Sequence, residues 1–186
     1  MISYHLYQPF PVIDLGDIIL REIIDADAKD YFDYMSRLEM EQYLTADNRP
    51  ATIDAALEDV RYWGSLFRNK RSFYWGIALK DSNKLIGTAG FNIISTNHLR
   101  AEISYDLDPE LWGKGMMLKS VKGILAYSDI SLGLIRVQAT VITTNERSIK
   151  LLERTGFAKE GILKKYEVVM GEHKDYYMYA RVNDFM

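Results

Sequence analysis

Tyr105-Asp-Leu-Asp-Pro-Glu-Leu-Trp-Gly-Lys-Gly-Met-Met117 leads through a helix to Ile135-Arg-Val-Gln-Ala-Thr-Val141 and then to Asn145-Glu-Arg-Ser-Ile-Lys-Leu-Leu-Glu-Arg-Thr-Gly-Phe157, and this run decides the fold. It reads as strand, glycine turn, helix, strand, helix. Met117, Val121, Ile124, Leu125 and Leu132 recur at helical steps and mark one apolar face. A helix between two strands is the long crossover that parallel pairing needs. Gly156 falls just past the last periodic residue of the second helix, where a left-handed residue ends a helix.

Upstream, Phe73–Leu79 and Leu85–Ile94 flank the polar turn Asp81-Ser-Asn-Lys84, which predicts a hairpin. Asn97-His-Leu-Arg100 turns the chain into a third strand, Ala101–Leu107. Gly87 and Gly90 within the second strand point to a bulge or a close backbone approach. Ile18–Ile24 is a β-branched run and predicts the first strand; Asp25–Arg37 follows as a helix, with Asp25 or Asp27 as cap. Asp47-Asn-Arg-Pro50 breaks the chain before a helix over Thr52–Asn69. Ile162–Met170, the turn at Gly171-Glu172 and His173–Val182 close the chain as a hairpin. The expectation is an α+β, mixed α/β domain spanning 1–186. Its central, mostly antiparallel sheet has about seven strands, one parallel pair, and helices on both faces.

The chain has 186 residues, is 48% apolar and 26% charged, and has a net charge of −3 with no dense basic run. That balance argues against direct nucleic-acid binding. The absence of cysteine excludes disulfides, thiolate metal sites and a thiol nucleophile. His5, His98 and His173 lie far apart, without metal-ligand spacing, so no metal is expected. The first residues lack a signal-peptide pattern and no stretch has membrane-spanning length, which makes a cytoplasmic protein the expectation; monomer and homodimer both stay open.

The glycine turn at Trp112-Gly-Lys-Gly-Met-Met-Leu-Lys-Ser120 sits where a strand passes into a helix. There the first N–H groups of the helix have no internal partner and face outward at the positive end of its dipole, a receptor for phosphate. Walker A and dinucleotide loops both require a glycine where Leu118 stands. A shorter turn remains, which either cradles a pyrophosphate or simply joins strand to helix.

Around this turn the chain resembles the GNAT superfamily of acetyl-CoA-dependent N-acetyltransferases. The family's Gln/Arg-x-x-Gly-x-Gly/Ala signature aligns with Trp112–Met117; Gly115 matches, while Trp112 and Met117 replace the outer positions. Leu-Trp-Gly-Lys-Gly-Met-Met is similar to the variant of the RimJ/RimL-like branch, which acetylates ribosomal-protein N-termini. Asn145-x-x-Ser148-x-x-Leu151-Leu152-Glu153-x-x-Gly156-Phe157 and the tail with Gly161, Tyr166 and Asp175–Tyr179 resemble the family further.

The resemblance implies an acetyltransferase that binds acetyl-CoA (coenzyme A as co-substrate) and a primary-amine acceptor. The strands Ala101–Leu107 and Ile135–Val141 would splay around the pantetheine arm. The amides of Gly113, Lys114, Gly115, Met116 and Met117 would hold the pyrophosphate, and the Leu107 amide would face the thioester oxygen. Asn145 would bond the arm, cap its own helix, or both. Glu102 is the first choice of proton acceptor, sharing one strand face with Ser104 and Asp106 by alternation. Ser148 would serve the leaving sulfur unless it bonds its own backbone, and Tyr166 is a weaker acid candidate. Tyr31, Tyr34, Tyr43, Trp63 and Trp75 either line an acceptor pocket or pack the core. The acceptor is a protein N-terminus or a small amine such as a polyamine or aminoglycoside; a non-catalytic acyl-CoA-binding module is the alternative outside catalysis.

Overall fold

A computed structural model describes residues 9–183. The elements run β1 (Ile13–Asp14), β2 (Ile18–Arg21), α1 (Ala28–Met35), α2 (Leu38–Glu41), α3 (Ile53–Arg68), β3 (Tyr74–Leu79), β4 (Leu85–Ser95), β5 (Arg100–Leu107), α4 (Met116–Tyr127), β6 (Arg136–Ile142), α5 (Glu146–Arg154), β7 (Ala158–Val169) and β8 (Glu172–Val182). They build one eight-stranded sheet in the order β1-β2-β3-β4-β5-β6-β8-β7. Every neighbouring pair is antiparallel except β5 and β6, which the α4 crossover joins in parallel. The strand beyond the expected seven is β1, two residues paired with β2 and too short to leave an alternation in sequence. The helix expected over Asp25–Arg37 begins as a 3-10 turn at Asp25–Asp27 and stops at Met35, so α1 has eight residues.

Both faces are covered. Tyr74 and Leu85 join Tyr31, Tyr34, Ala56 and Val60 in a cluster under α1 and α3, while Trp75, Ile77 and Ala89 join Val121, Ile124 and Leu152 under α4 and α5. Gly87 and Gly90 are required by close strand approach. A Cβ on Gly87 would meet Asp106 O at 2.5 Å, and one on Gly90 would meet Phe73 O at 2.5 Å. The end of α5 is a Schellman motif: Gly156 has φ +89°, its N–H donates to Glu153 O, and Phe157 N–H reaches Leu152 O at 3.0 Å. At the far edge Met170 and Gly171, both at positive φ, form the two-residue turn between β7 and β8. His5 lies outside the described residues. No helix among the described residues is long and apolar enough to cross a membrane.

Candidate active site

The site begins with an interruption in the sheet. β5 and β6 pair only at Arg100/Arg136, Ala101/Val137 and Glu102/Gln138. Past those three registers Ile103–Leu107 and Ala139–Ile142 share no pairing, although each strand stays bound along its other edge, β5 to β4 through Leu107 and β6 to β8 through Ile142. The sheet therefore forks, and each arm turns a row of main-chain groups into the gap. Asp108 N–H donates to Ile86 O at 2.8 Å, so antiparallel alternation turns the N–H of Leu107 the other way, into the fork. The Leu107 carbonyl on that side accepts from Trp112 Nε1 at 2.8 Å.

The mouth of the fork is the glycine turn. Asp108 caps a 3-10 turn over Pro109–Leu111 by accepting from Glu110 N. Arg37 ties this turn to the α1–α2 connection, 3.4 Å from Asp108 and 2.6 Å from Glu110. Gly113 and Gly115 then stand at φ +77° and +80° with open space around both, so the left-handed backbone, not crowding, calls for glycine. Lys114 N–H is lightly held by Leu111 O at 3.4 Å. The first intrahelical bond of α4 that reaches back to the turn runs from Lys119 N to Gly115 O, which leaves the N–H groups of Met116, Met117 and Leu118 without helical acceptors. No acidic side chain occupies the first turn of α4 to offset its dipole.

On the opposite arm α5 starts where β6 ends. Asn145 caps it, its Oδ1 accepting from Ser148 N at 3.0 Å. The Ser148 hydroxyl lies 2.8 Å from the Tyr105 hydroxyl, a contact between the two arms of the fork. Burial pushes the Tyr105 phenol above the ordinary tyrosine range, partly offset by that bond.

Glu102 stands at the apex, half-buried, where Gln138 Nε2 donates to its Oε2 at 3.1 Å. Arg136 holds Gln138 and forms a two-bond ion pair with Glu160. Ile93, Ser95, Arg100 and Ala101 complete a shallow depression beside Glu102. Ser104 and Asp106 share its strand face. Ser104 Oγ bonds Tyr74 OH at 2.8 Å and Asn92 Oδ1 at 2.7 Å. Asp106 accepts from Tyr34 OH at 2.5 Å, Thr88 Oγ1 at 2.6 Å and Thr88 N at 3.1 Å. Burial pushes the Asp106 carboxyl up to about 6, against the pull of those donors.

Of the residues singled out in sequence, Leu107, Gly113, Lys114, Gly115, Met116, Met117, Asn145 and Ser148 lie along the fork and its mouth, with Glu102 at its base. Tyr166 lies on β7 at the sheet edge, half-exposed beside Tyr176. Trp75 is fully buried with its Nε1 on Pro11 O, and Tyr31 and Tyr34 are buried on the face of α1 that packs on α3, Tyr74 and Leu85. Trp63 stacks on Tyr74 at 5.0 Å, and Tyr43 tilts against Trp112. Two features escaped the sequence reading, the Tyr105–Ser148 contact and the Tyr34–Asp106–Thr88 cluster. Alternation assigns Tyr105 and Asp106 to faces but names no partner 43 or 72 residues away.

Residues 17–158 match the acetyltransferase (GNAT) domain family. The uncharacterized N-acetyltransferase YoaA of Bacillus subtilis (strain 168) is 36% identical over 173 residues, 93% of this chain and 97% of that protein. The crystal structure of ribosomal-protein-S5-alanine acetyltransferase from Vibrio fischeri superposes with a TM-score of 0.82 at 26% identity, covering 94% of this chain and 97% of that one. RimL, a ribosomal L7/L12 α-N-protein acetyltransferase solved in complex with coenzyme A, shares the fold with a TM-score of 0.85 at 21% identity, covering 94% and 99%. The forked sheet, the glycine turn and these likenesses agree: the chain belongs to the GNAT family and is an acetyl-CoA-dependent acyltransferase.

Proposed function

We propose that this enzyme moves an acetyl group from acetyl-CoA to the N-terminal amine of a protein, by direct attack within a ternary complex. The carrying observation is the fork that opens after three residue pairs and ends at a helix start with unpaired N–H groups. The pantetheine arm adds to the open strand edges through main-chain hydrogen bonds. The pyrophosphate rests on the amides of Gly113, Lys114, Gly115, Met116 and Met117, Lys114 exchanging its long bond to Leu111 O for the phosphate. Asn145 caps α5 through Oδ1 and keeps its Nδ2 protons for the arm.

The acceptor amine attacks as the neutral base, and Glu102 takes its proton, directly or through water. The Leu107 N–H holds the developing oxyanion. When the carbon–sulfur bond breaks, its electron pair stays on sulfur and Ser148 hydrogen-bonds it; Tyr166, at the sheet edge on β7, stands outside the fork and is given no part in the step. No covalent enzyme intermediate is invoked, and the chain has no cysteine to form a thioester. The protein N-terminus as acceptor draws its support from the ribosomal-protein acetyltransferases among the relatives.

Calorimetry tests the reading first. Acetyl-CoA binds the native enzyme, and Gly115→Asp abolishes binding. Aspartate is among the few side chains that tolerate the left-handed backbone there, so the turn survives while a carboxylate confronts the diphosphate. Absence of binding to the native enzyme would remove the proposal. An amine panel read by mass spectrometry then tests the acceptor: acetylated peptide N-termini are expected, and modification of polyamines or aminoglycosides alone refutes that part.

A further inference from the structure

We propose that Tyr105 is a positioning residue that aims the Ser148 hydroxyl at the departing sulfur; the inference rests on the acetyl-transfer reading above. Tyr105 lies two residues before Leu107 on the stretch of β5 that does not pair with β6, and Ser148 lies in the first turn of α5, just beyond β6. The 2.8 Å contact between their hydroxyls therefore joins the two arms beside the gap that the arm of the coenzyme fills. The Ser148 main chain is already fixed by Asn145. Among the described residues the Ser148 hydroxyl bonds Tyr105 rather than a backbone group nearby, the local bond that a serine commonly makes.

Two hydroxyls in one hydrogen bond share a single proton between their oxygens, so one donates and the other keeps its hydrogen free. A serine hydrogen rotates, whereas a phenol prefers to keep its hydrogen near the ring plane. Either hydroxyl can donate across the 2.8 Å contact; a phenol is the more acidic and so the better donor of the two, and Tyr105 is taken as the donor. Ser148 is then the acceptor, its own hydrogen is released from the pair, and its O–H is polarised by the bond it receives. In the reaction the nitrogen lone pair forms the carbon–nitrogen bond and the carbonyl π pair moves to oxygen. Collapse re-forms the carbonyl and leaves the carbon–sulfur pair on sulfur as a thiolate. That thiolate accepts from Ser148, which accepts from Tyr105, and it takes its proton from water on release. Tyr105 ends as it began, neutral.

The bound thiol itself provides the readout. Thiolate absorbance of coenzyme A bound to the enzyme is titrated for the native protein, Tyr105→Phe, Ser148→Ala and the double variant. The expected result is a lower thiol pKa on the native enzyme than on either variant, equal shifts for the two single variants, and no further shift in the double. With acetyl-CoA, kcat falls about tenfold in Tyr105→Phe while KM stays within about twofold. An unchanged thiol pKa in Tyr105→Phe, additive shifts, or a loss confined to KM would overturn the proposal. Should Tyr105→Phe fail to fold, 3-fluorotyrosine at position 105 keeps the ring and makes a stronger donor. It should lower the bound thiol pKa further, and no change would count against the inference. A native enzyme that binds no coenzyme A fails at the first titration, before any variant is compared, and brings down the acetyl-transfer reading along with this one.

Discussion

Asp106 is the carboxylate whose ionisation the surroundings resist most clearly. Tyr31 and Tyr34 face it from α1, Tyr74 from β3 and Thr88 from β4, and among the described residues no cation bonds to it. Neutral donors soften the desolvation without cancelling it, and the carboxyl ends near 6 against 3.8 unfolded. The folded protein therefore binds this proton more tightly than the unfolded chain does. Its stabilising effect is complete below about pH 4 and is lost as the pH rises through about 6. The urea midpoint of the native enzyme should fall over that window more steeply than that of Asp106→Asn, which carries every other titrating group unchanged. Parallel curves would show that Asp106 is not the group responsible. At this scale sequence was informative about faces: alternation set Glu102, Ser104 and Asp106 together. It could not supply Tyr34, because the contact depends on how α1 crosses the sheet.

Among the elements, the join between β2 and the start of α1 rests on one buried pair. Arg21 reaches Asp27 through two bonds of 2.7 and 2.8 Å, with side-chain exposures of 13% and 6%. Asp27 also accepts from Ile24 N, and Arg21 extends to Asn83 in the β3–β4 turn. A single guanidinium thus fastens a strand, a helix entry and a hairpin tip. Arg21→Ala leaves the Asp27 carboxylate enclosed without its counter-charge and should cost about 3–5 kcal/mol in denaturant unfolding. Adding Asp27→Asn, which keeps an acceptor for Ile24 N but removes the charge, should recover much of that loss; a double variant as unstable as the sum of both changes would refute the explanation. Gly156 was legible as the end of α5 because that cap is local chemistry; the cap expected at Asp25 or Asp27 is not made, since neither side chain caps a helix amide and the Asp27 carboxylate instead accepts from Ile24 N and pairs with Arg21. The 3-10 entry and early stop of α1 were not legible, since nothing in the run to Arg37 forbids helix. The last residues of α1, Tyr34 and Met35, are buried in the cluster that α1 shares with α3, Tyr74 and Leu85, contacts that lie far away in sequence.

For the whole molecule, the parallel β5–β6 pair was legible from the length of the crossover, and the position of the glycine turn from its place between strand and helix. The fork was not derivable from residue pattern, and only the likeness to a family suggested it. Ile103–Leu107 and Val137–Ile142 would read equally well as strands paired along their length. What parts them is three-dimensional: β6 follows β8 through seven registers and β5 follows β4, and the sheet lets go of the shared seam after Glu102 and Gln138. Hydrogen exchange can see this division directly. Amides zipped at the base of the fork already have partners, while alternate amides of Ile103–Leu107, with Leu107 the clearest, point into the gap. Saturating acetyl-CoA should slow exchange along those fork-facing amides and at Gly115–Leu118, with little change over Arg100–Glu102. At 100 times Kd it should also raise stability by about 2.7 kcal/mol, seen as a higher melting temperature. A ligand-induced slowing spread evenly over the sheet, or confined to β7 and β8, would mean that the fork does not receive the coenzyme. Protection that begins at Ile103 would locate binding where the two arms part, and would tie the open seam of this sheet to the thioester it serves.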